Sequence, residues 1–371
     1  MQKIKILHII KSLGRGGAET LLPETLSLHD KVRFEFHYIY FLPWKDQMVN
    51  AIEKQGGKVT CLAASNNFKL LQQYKKVISY CNLNSINLIH CHLPWSGFLG
   101  RIVYAKTKVP VIYTEHNIQE RYHILTKLLN KSTFNSQSIA LGVSEDVSRS
   151  IKQHINPKIP VETLLNGVNT DKFTRDLIKG QRIRDQYSIP EEAILIGNIA
   201  VFREQKCIPD WLRAFKEISY NNNNIYGLLV GAGPLETEIK TLVKELKLEK
   251  KVILAGLQTD TVSYFSAMDI FMMSSAFEGL PIALLEAMSM QCAVISTRAG
   301  GVVEVVRDSQ DGLLCEVGDT QIMADLAADL VNDKGKRVAF QNAARARVVD
   351  SFSLTNMVSE LEKVYTKCNE V

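Results

Sequence analysis

Two carboxylates bracket the start of an apolar helix in SSAFEGLPIALLEAMSMQCAVISTRAGGVVEVV, residues 274–306: Glu278 and Glu286, with seven residues between them. Gly279 lets the backbone come close to a ligand, and Pro281 suits a first helical position, where its missing N–H costs nothing. A helix beginning at about residue 281 leaves Glu278 in the preceding loop. It puts Glu286 in the second turn, about 7–8 Å along the axis at about 1.5 Å per residue. The unpaired N–H groups of a helix start attract an anion, and carboxylates accept hydrogen bonds from hydroxyls. A phosphate attached to a polyol meets both demands, whereas a capping role alone leaves two carboxylates beside an apolar helix unexplained.

Other groups point to the same kind of ligand. Arg203 and Lys206 in NIAVFREQKC follow an apolar run, where a guanidinium fork and a lysine point charge suit a diphosphate. Gly231 and Gly233 follow the next run in LLVGAGPLE, with Glu236 where a dinucleotide fingerprint would need a third glycine. Near the start, Gly14, Gly16 and Gly17 in SLGRGGAET precede a helix expected from about Ala18 and suggest an anion site, or a tight turn for packing. Glu19 rules out the dinucleotide spacing there, and no G-K-[ST] follows to make a Walker loop. In VPVIYTEHN, His116 lies just past a strand's carboxyl end, the edge of an open α/β sheet that binds ligands.

The elements that must position these residues alternate. IKILHII, EFHYIYFL, KVTCLA, INLIHCH, VPVIYTEH, IALGVS and VETLLNGV are short apolar runs, each followed by a turn signal and a helical pattern. That rhythm predicts a doubly wound parallel sheet covered by helices. After the polar helix in TRDLIKGQRIRDQYSIPEE it restarts with AILIGNIA, IYGLLVGAG, KVILAG, IFMMS, AVIST and DGLLCE. With 371 residues the chain is expected to form two domains, 1–178 and 179–352, followed by a helix over 353–368. Asn221 to Asn224 reads as a loop between helix and strand. Apolar residues at 354, 357, 358, 361, 364 and 365 give the last helix a stripe that must dock.

Composition narrows the class. No apolar run approaches a membrane span, because Glu286 interrupts the longest, and no signal-peptide pattern opens the chain. Seven scattered cysteines without CxxC spacing argue against disulfides or structural zinc and fit a reducing cytosol. His90-Cys91-His92 reads as a strand end carrying two imidazoles and not as a metal site. Through residue 178 there are twenty-three Lys and Arg against thirteen Asp and Glu; beyond it there are twenty-one against twenty-six. The basic first half suits an anionic membrane face or a phosphate-bearing partner, and no nucleic-acid module is present.

Taken together, GRGGAE, YTEHN, NGVNTDKF, REQK, VGAGPLE and above all FEGLPIALLEAM followed by AVISTRAGGVVEVV resemble the retaining glycosyltransferases of family 4. That resemblance covers nearly the whole chain. It implies the GT-B fold, two Rossmann-like domains facing across a cleft, with the first binding the acceptor, the second binding the nucleotide-sugar donor, and the final helix returning to the first. The implied catalytic residues are His116, beside the transferred sugar, and Glu278, on donor-sugar hydroxyls. Glu286 would hold the ribose, Lys206 and Arg203 the leaving diphosphate, and the backbone of Gly279, Leu280 and Pro281 phosphate or sugar. Gly16, Gly17 and Gly231 are also expected at the donor site.

The implied activity is metal-independent transfer from a nucleotide-diphosphate sugar, UDP-linked in preference to GDP-linked, with no cofactor. The expected acceptor is a hydroxyl of a lipid-linked or oligosaccharide intermediate of surface polysaccharide synthesis. A cytoplasmic enzyme, peripheral on the inner membrane face, follows from the same resemblance. Family members usually carry arginine two positions before Arg203, where this chain has Val201. The alternatives are a non-catalytic GT-B partner subunit, or a sugar-nucleotide epimerase or phosphorylase on the same fold.

Overall fold

Thirteen parallel strands carry the architecture, in a computed structural model that describes residues 3–220, 222 and 224–370. The first seven are β1 (Ile4–Ile9), β2 (Phe34–Tyr40), β3 (Lys58–Cys61), β4 (Leu88–His92), β5 (Val111–Glu115), β6 (Ile139–Gly142) and β7 (Val161–Thr163). They form one sheet in the order β3-β2-β1-β4-β5-β6-β7. The next six are β8 (Ile194–Ile199), β9 (Ile225–Val230), β10 (Val252–Gly256), β11 (Ile270–Met273), β12 (Ala293–Thr297) and β13 (Leu313–Cys315). Their order, β10-β9-β8-β11-β12-β13, repeats the first pattern. Ile, Leu, Val and Phe dominate these runs, and the central strands are buried on both faces, as helices on either side of a parallel sheet require. In each sheet the order reverses between the first strand and the fourth, β1/β4 and β8/β11. Loops leaving the carboxyl ends of such a pair diverge and leave a crevice.

The chain divides into two compact units, Met1–Asn166 with Leu354–Val371, and Gly167–Ser353. The division falls a dozen residues before the expected 178, because the intervening segment is tied to the second unit. The Val168 N–H donates to Phe352 O at 2.9 Å, and Arg175 donates to Ser266 O at 3.3 Å and Gln291 O at 2.9 Å. Phe173 is fully buried against Phe265, with ring centres 6.4 Å apart. Of the asparagine run, Asn221 and Asn223 lie outside the described residues; the helix Ile208–Tyr220 and β9 flank it. Among the described residues no helix is long and apolar enough to cross a membrane.

The last helix, Leu354–Asn369, docks its stripe on the first unit. Leu361, Val364, Tyr365 and Cys368 join a core that includes Ile6, Leu88 and Ile112. Polar contacts fix its register: Glu362 accepts from the Asp30 N–H at 2.8 Å and pairs with His29 Nδ1 at 2.9 Å. Leu361→Ala is expected to destabilise the first unit by about 2–4 kcal/mol through lost burial and a residual cavity. Urea unfolding followed by circular dichroism checks this, with Leu83→Ala, at an 85% exposed site, leaving the midpoint unchanged.

Candidate functional site

In the second unit the loops that leave β8 and β11 are sewn together. The two strands are neighbours, with Ile196 opposite Ile270 and Gly197 opposite Phe271. Beyond them, the Ala276 N–H donates to Gln205 O at 2.8 Å, and Gln205 Nε2 donates to Phe277 O at 2.9 Å. The Ser274 hydroxyl lies between two carbonyls, 3.0 Å from Lys206 O and 2.9 Å from Cys207 O. Cys207 takes a left-handed conformation, φ 45°, that turns the chain from the single turn Glu204–Lys206 into the helix Ile208–Tyr220.

This stitching brings two expected site residues into contact. Lys206 Nζ lies 2.5 Å from Glu278 Oε1, with the lysine side chain 22% and the glutamate 7% exposed. Gln205 Nε2 is 3.4 Å from the other carboxylate oxygen. So little water reaches the pair that each charge needs the other, or a replacement of the same sign.

The surrounding glycines are required by close backbone approach. A side chain at Gly301 would place its Cβ 1.7 Å from Gly279 O, and the Gly301 N–H donates to Glu278 O at 3.2 Å. Gly231, with φ 141°, would meet Ala200 O at 1.9 Å, and Gly233 would meet Phe202 O at 2.5 Å. Packing thus accounts for both residues: they let the loop after β9 support the segment that carries Arg203 and Lys206. Arg203 itself is exposed and has extended backbone.

The helix that follows Glu278 is Ile282–Ser289. Pro281 is its cap, with ψ 113°, and not its first residue as expected; it has no N–H and makes no side-chain cap bond. Leu280 is buried beside it, and Glu286 sits half-buried in the second turn.

In the first unit the glycine loop leads into the helix Gly17–Leu28, one residue earlier than expected. Gly16 is its cap, and a Cβ there would lie 2.3 Å from Glu19 Oε2. Glu19 in turn accepts from the Ser12 hydroxyl at 2.9 Å. Glu19 thus folds back over Gly16 in the first turn, and a side chain at residue 16 would require that carboxylate to move.

His116 is placed by its neighbour. Glu115 is fully buried at the end of β5, where it accepts from Tyr113 Oη at 2.7 Å, Tyr122 Oη at 2.5 Å and Gln119 Nε2 at 2.9 Å. It also accepts from the backbone N–H groups of His116 at 2.9 Å and Asn117 at 3.3 Å. Burial raises the Glu115 pKa, and the donors pull it back. Burial also depresses the His116 pKa to about 4, so this imidazole is neutral at pH 7, and its Nε2 is buried without a partner.

A histidine cluster that the sequence reading missed adjoins it. His8 on β1 stands in register with His90 on β4, and His8 Nδ1 lies 3.0 Å from His92 Nε2. His90 reaches Tyr365 Oη at 2.8 Å through Nδ1 and Thr114 Oγ1 at 2.7 Å through Nε2. Imidazole nitrogens of His8, His90 and His92 lie within 4.8 Å of one another. His8 is stacked on His92 at an interplanar angle of 10°, and His90 is tilted against His92 by 34° with ring centres 4.2 Å apart. His90 engages both its nitrogens with Tyr365 and Thr114, and His8 Nδ1 is engaged with His92, so the cluster is tied into a hydrogen-bonded network. The available signal was the period-two spacing of His90 and His92, which puts both on one face, beside whatever β1 offers.

The Glycosyltransferase Family 4 model matches residues 16–172, and the Glycosyl transferases group 1 model matches residues 180–347. An N-acetyl-alpha-D-glucosaminyl L-malate synthase of Bacillus anthracis is 31% identical over 61% of this chain, a match that spans 59% of that enzyme. An N-acetylgalactosamine-N,N'-diacetylbacillosaminyl-diphospho-undecaprenol 4-alpha-N-acetylgalactosaminyltransferase of Campylobacter jejuni is 27% identical over 94% of this chain and 95% of its own length. Among solved structures, Anabaena HepE in complex with UDP and glucose superposes with a TM-score of 0.87 at 19% identity, covering 98% of this chain and 100% of that one.

Burial makes the first unit acid-sensitive. His116, with its pKa near 4, and His90, near 3, stay neutral in the fold, while the unfolded chain binds protons below about 6.5. Stability is therefore complete above pH 6.5 and is lost as pH falls towards 4. His116 alone accounts for roughly 2 kcal/mol between pH 7 and pH 5. Urea midpoints at the two pH values check this, with His116→Asn expected to narrow the difference.

Proposed function

The chain belongs to the family 4-like glycosyltransferases of GT-B fold, and from that membership we propose that it moves a sugar from a nucleotide-diphosphate sugar to an acceptor hydroxyl with retention of anomeric configuration. The observation that carries this reading is the Lys206–Glu278 pair beside the uncapped start of Ile282–Ser289. A donor entering there offers each partner a substitute. Its diphosphate takes over the Lys206 ammonium, and its sugar hydroxyls donate to the released Glu278 carboxylate. Glu286, one helical segment further on, accepts from the ribose.

As the bond between the anomeric carbon and the phosphate oxygen breaks, negative charge grows on the leaving diphosphate. Lys206, Arg203 and the helix start meet that charge, so no divalent ion is required. The acceptor oxygen bonds to the anomeric carbon from the face the diphosphate leaves, and its proton passes to the departing phosphate oxygen. In the first unit, His116 is held by the Glu115 network as a neutral imidazole suited to a sugar hydroxyl. The solved HepE complex with UDP supports UDP over GDP as the nucleotide. The Campylobacter relative, named for a diphospho-undecaprenol acceptor, supports a lipid-linked glycan here, and the basic first half of this chain suits a membrane-bound substrate.

Val201 favours one competing reading, a partner subunit whose donor site has lost its arginine. Turnover decides between the two. The isolated chain is expected to transfer sugar from a UDP-sugar in the presence of EDTA, with the product anomer matching the donor by NMR; a strict divalent requirement would sink the metal-independent mechanism. Lys206→Ala is expected to lower kcat by about 10²–10³-fold, as loss of one transition-state charge contact does. Gly301→Ala is expected to act mainly on KM by displacing the Gly279 carbonyl, and a diminished thermal shift with UDP checks it.

A further inference from the structure

The helix Ile124–Thr133 is inside out for a surface helix. It buries Thr126 and Asn130, while Ile124, Leu125 and Leu128 are 68, 54 and 60% exposed. Hydrogen bonds enforce that orientation. Arg101, buried against the rings of Phe98, Tyr113 and Phe134, donates from Nη1 to Asn130 Oδ1 at 2.9 Å and Thr133 Oγ1 at 3.0 Å. Asn130 Nδ2 donates to Gln119 Oε1 at 2.9 Å, and Gln119 is bound to Glu115. Rotating the helix to bury its leucines would strip partners from a buried guanidinium and from the amide that helps hold Glu115. The apolar face is therefore turned outward by the same network that positions His116.

The outward face is also cationic. Lys127 and Lys131 are exposed among the apolar residues, and the helix contains no acidic side chain. A second copy of the chain packed on this face about a two-fold axis would bring the lysines towards their own equivalents, which like charges oppose. An anionic lipid surface fits instead. Leucine and isoleucine enter the headgroup boundary, while the lysine stems lie along it and carry their ammonium groups to the phosphates.

We propose that Ile124–Thr133 docks this protein on an anionic bilayer, through Ile124, Leu125 and Leu128 flanked by Lys127 and Lys131. The inference rests on the reading that the acceptor is lipid-linked, and it names the element that brings the first unit to the membrane.

The test uses the full chain, cosedimented at low salt with vesicles of phosphatidylcholine alone or mixed with phosphatidylglycerol, alongside transfer to a short soluble acceptor. Binding to the mixed vesicles is expected to fall at least about tenfold in Leu125→Ser with Leu128→Ser. Lys127→Glu with Lys131→Glu is expected to weaken it similarly, whereas Leu83→Ser is expected to bind as the parent does. Both helix variants should transfer to the soluble acceptor at the parent rate, since they alter only exposed side chains. Parent-like vesicle binding by the leucine variant overturns the inference while leaving the lipid-linked acceptor in place. Failure of the parent to bind any vesicle overturns both, and soluble-acceptor transfer then still upholds the glycosyltransferase reading. Light scattering that finds an oligomer abolished by the leucine substitutions overturns the inference in favour of a copy-to-copy interface.

Discussion

The candidate site in the second unit is organised around a buried ion pair at the place where its strand order reverses. Lys206 and Glu278 stand 72 residues apart in sequence yet meet at 2.5 Å, because β8 and β11 are neighbours and their loops leave the same sheet edge. Taking two charges out of water is expensive, and leaving one behind unpaired costs more, about 3–5 kcal/mol. A fold that keeps such a pair largely out of water maintains two charges in a fixed place. Under the proposed reading, in which a diphosphate meets Lys206 and sugar hydroxyls meet Glu278, the pair is a preorganised site whose contacts the donor exchanges for its own.

The glycines make sense from this constraint outward. Gly301 presses on Gly279, and Gly231 and Gly233 press on the backbone of Ala200 and Phe202. Each brings a second loop against one of the two that carry the pair, at distances no Cβ would allow. The ion pair thus sits between loops braced from both sides. The first unit uses another device for the same end, a buried carboxylate. Glu115 gathers hydroxyl, amide and backbone donors around the end of β5, and its reach extends through Gln119 and Asn130 to Arg101.

Much of this was legible in the sequence, and the reason is periodicity. Every strand was announced by a short apolar run, the central ones because strands buried on both faces need nothing else, and the stripe at 354–365 announced a docked helix. What lay hidden was long-range pairing. His8 carries no local mark of its partners, because register between β1 and β4 is decided by the whole sheet. The outward face of Ile124–Thr133 was hidden for the opposite reason: its pattern looks like an ordinary amphipathic helix, and only the buried Arg101 shows which face must turn inward. The unit boundary was misplaced because Phe173 and Arg175 look like surface residues until their partners at 265–268 and 291 are known.

Val201 bears on the diphosphate clamp through the same local geometry. Phe202 is buried and pinned by backbone bonds between its N–H and Ala232 O at 3.0 Å, and between its O and the Leu235 N–H at 3.1 Å. Residues on either side of a buried position in extended chain project to a common opposite side. Arg203 has that extended backbone and is exposed, and Val201 is half-buried. Arg203 stands exposed three residues before the lysine that is paired with Glu278. In the proposed reading, Arg203 supplies from two residues further along the loop the positive charge that the family places at 201.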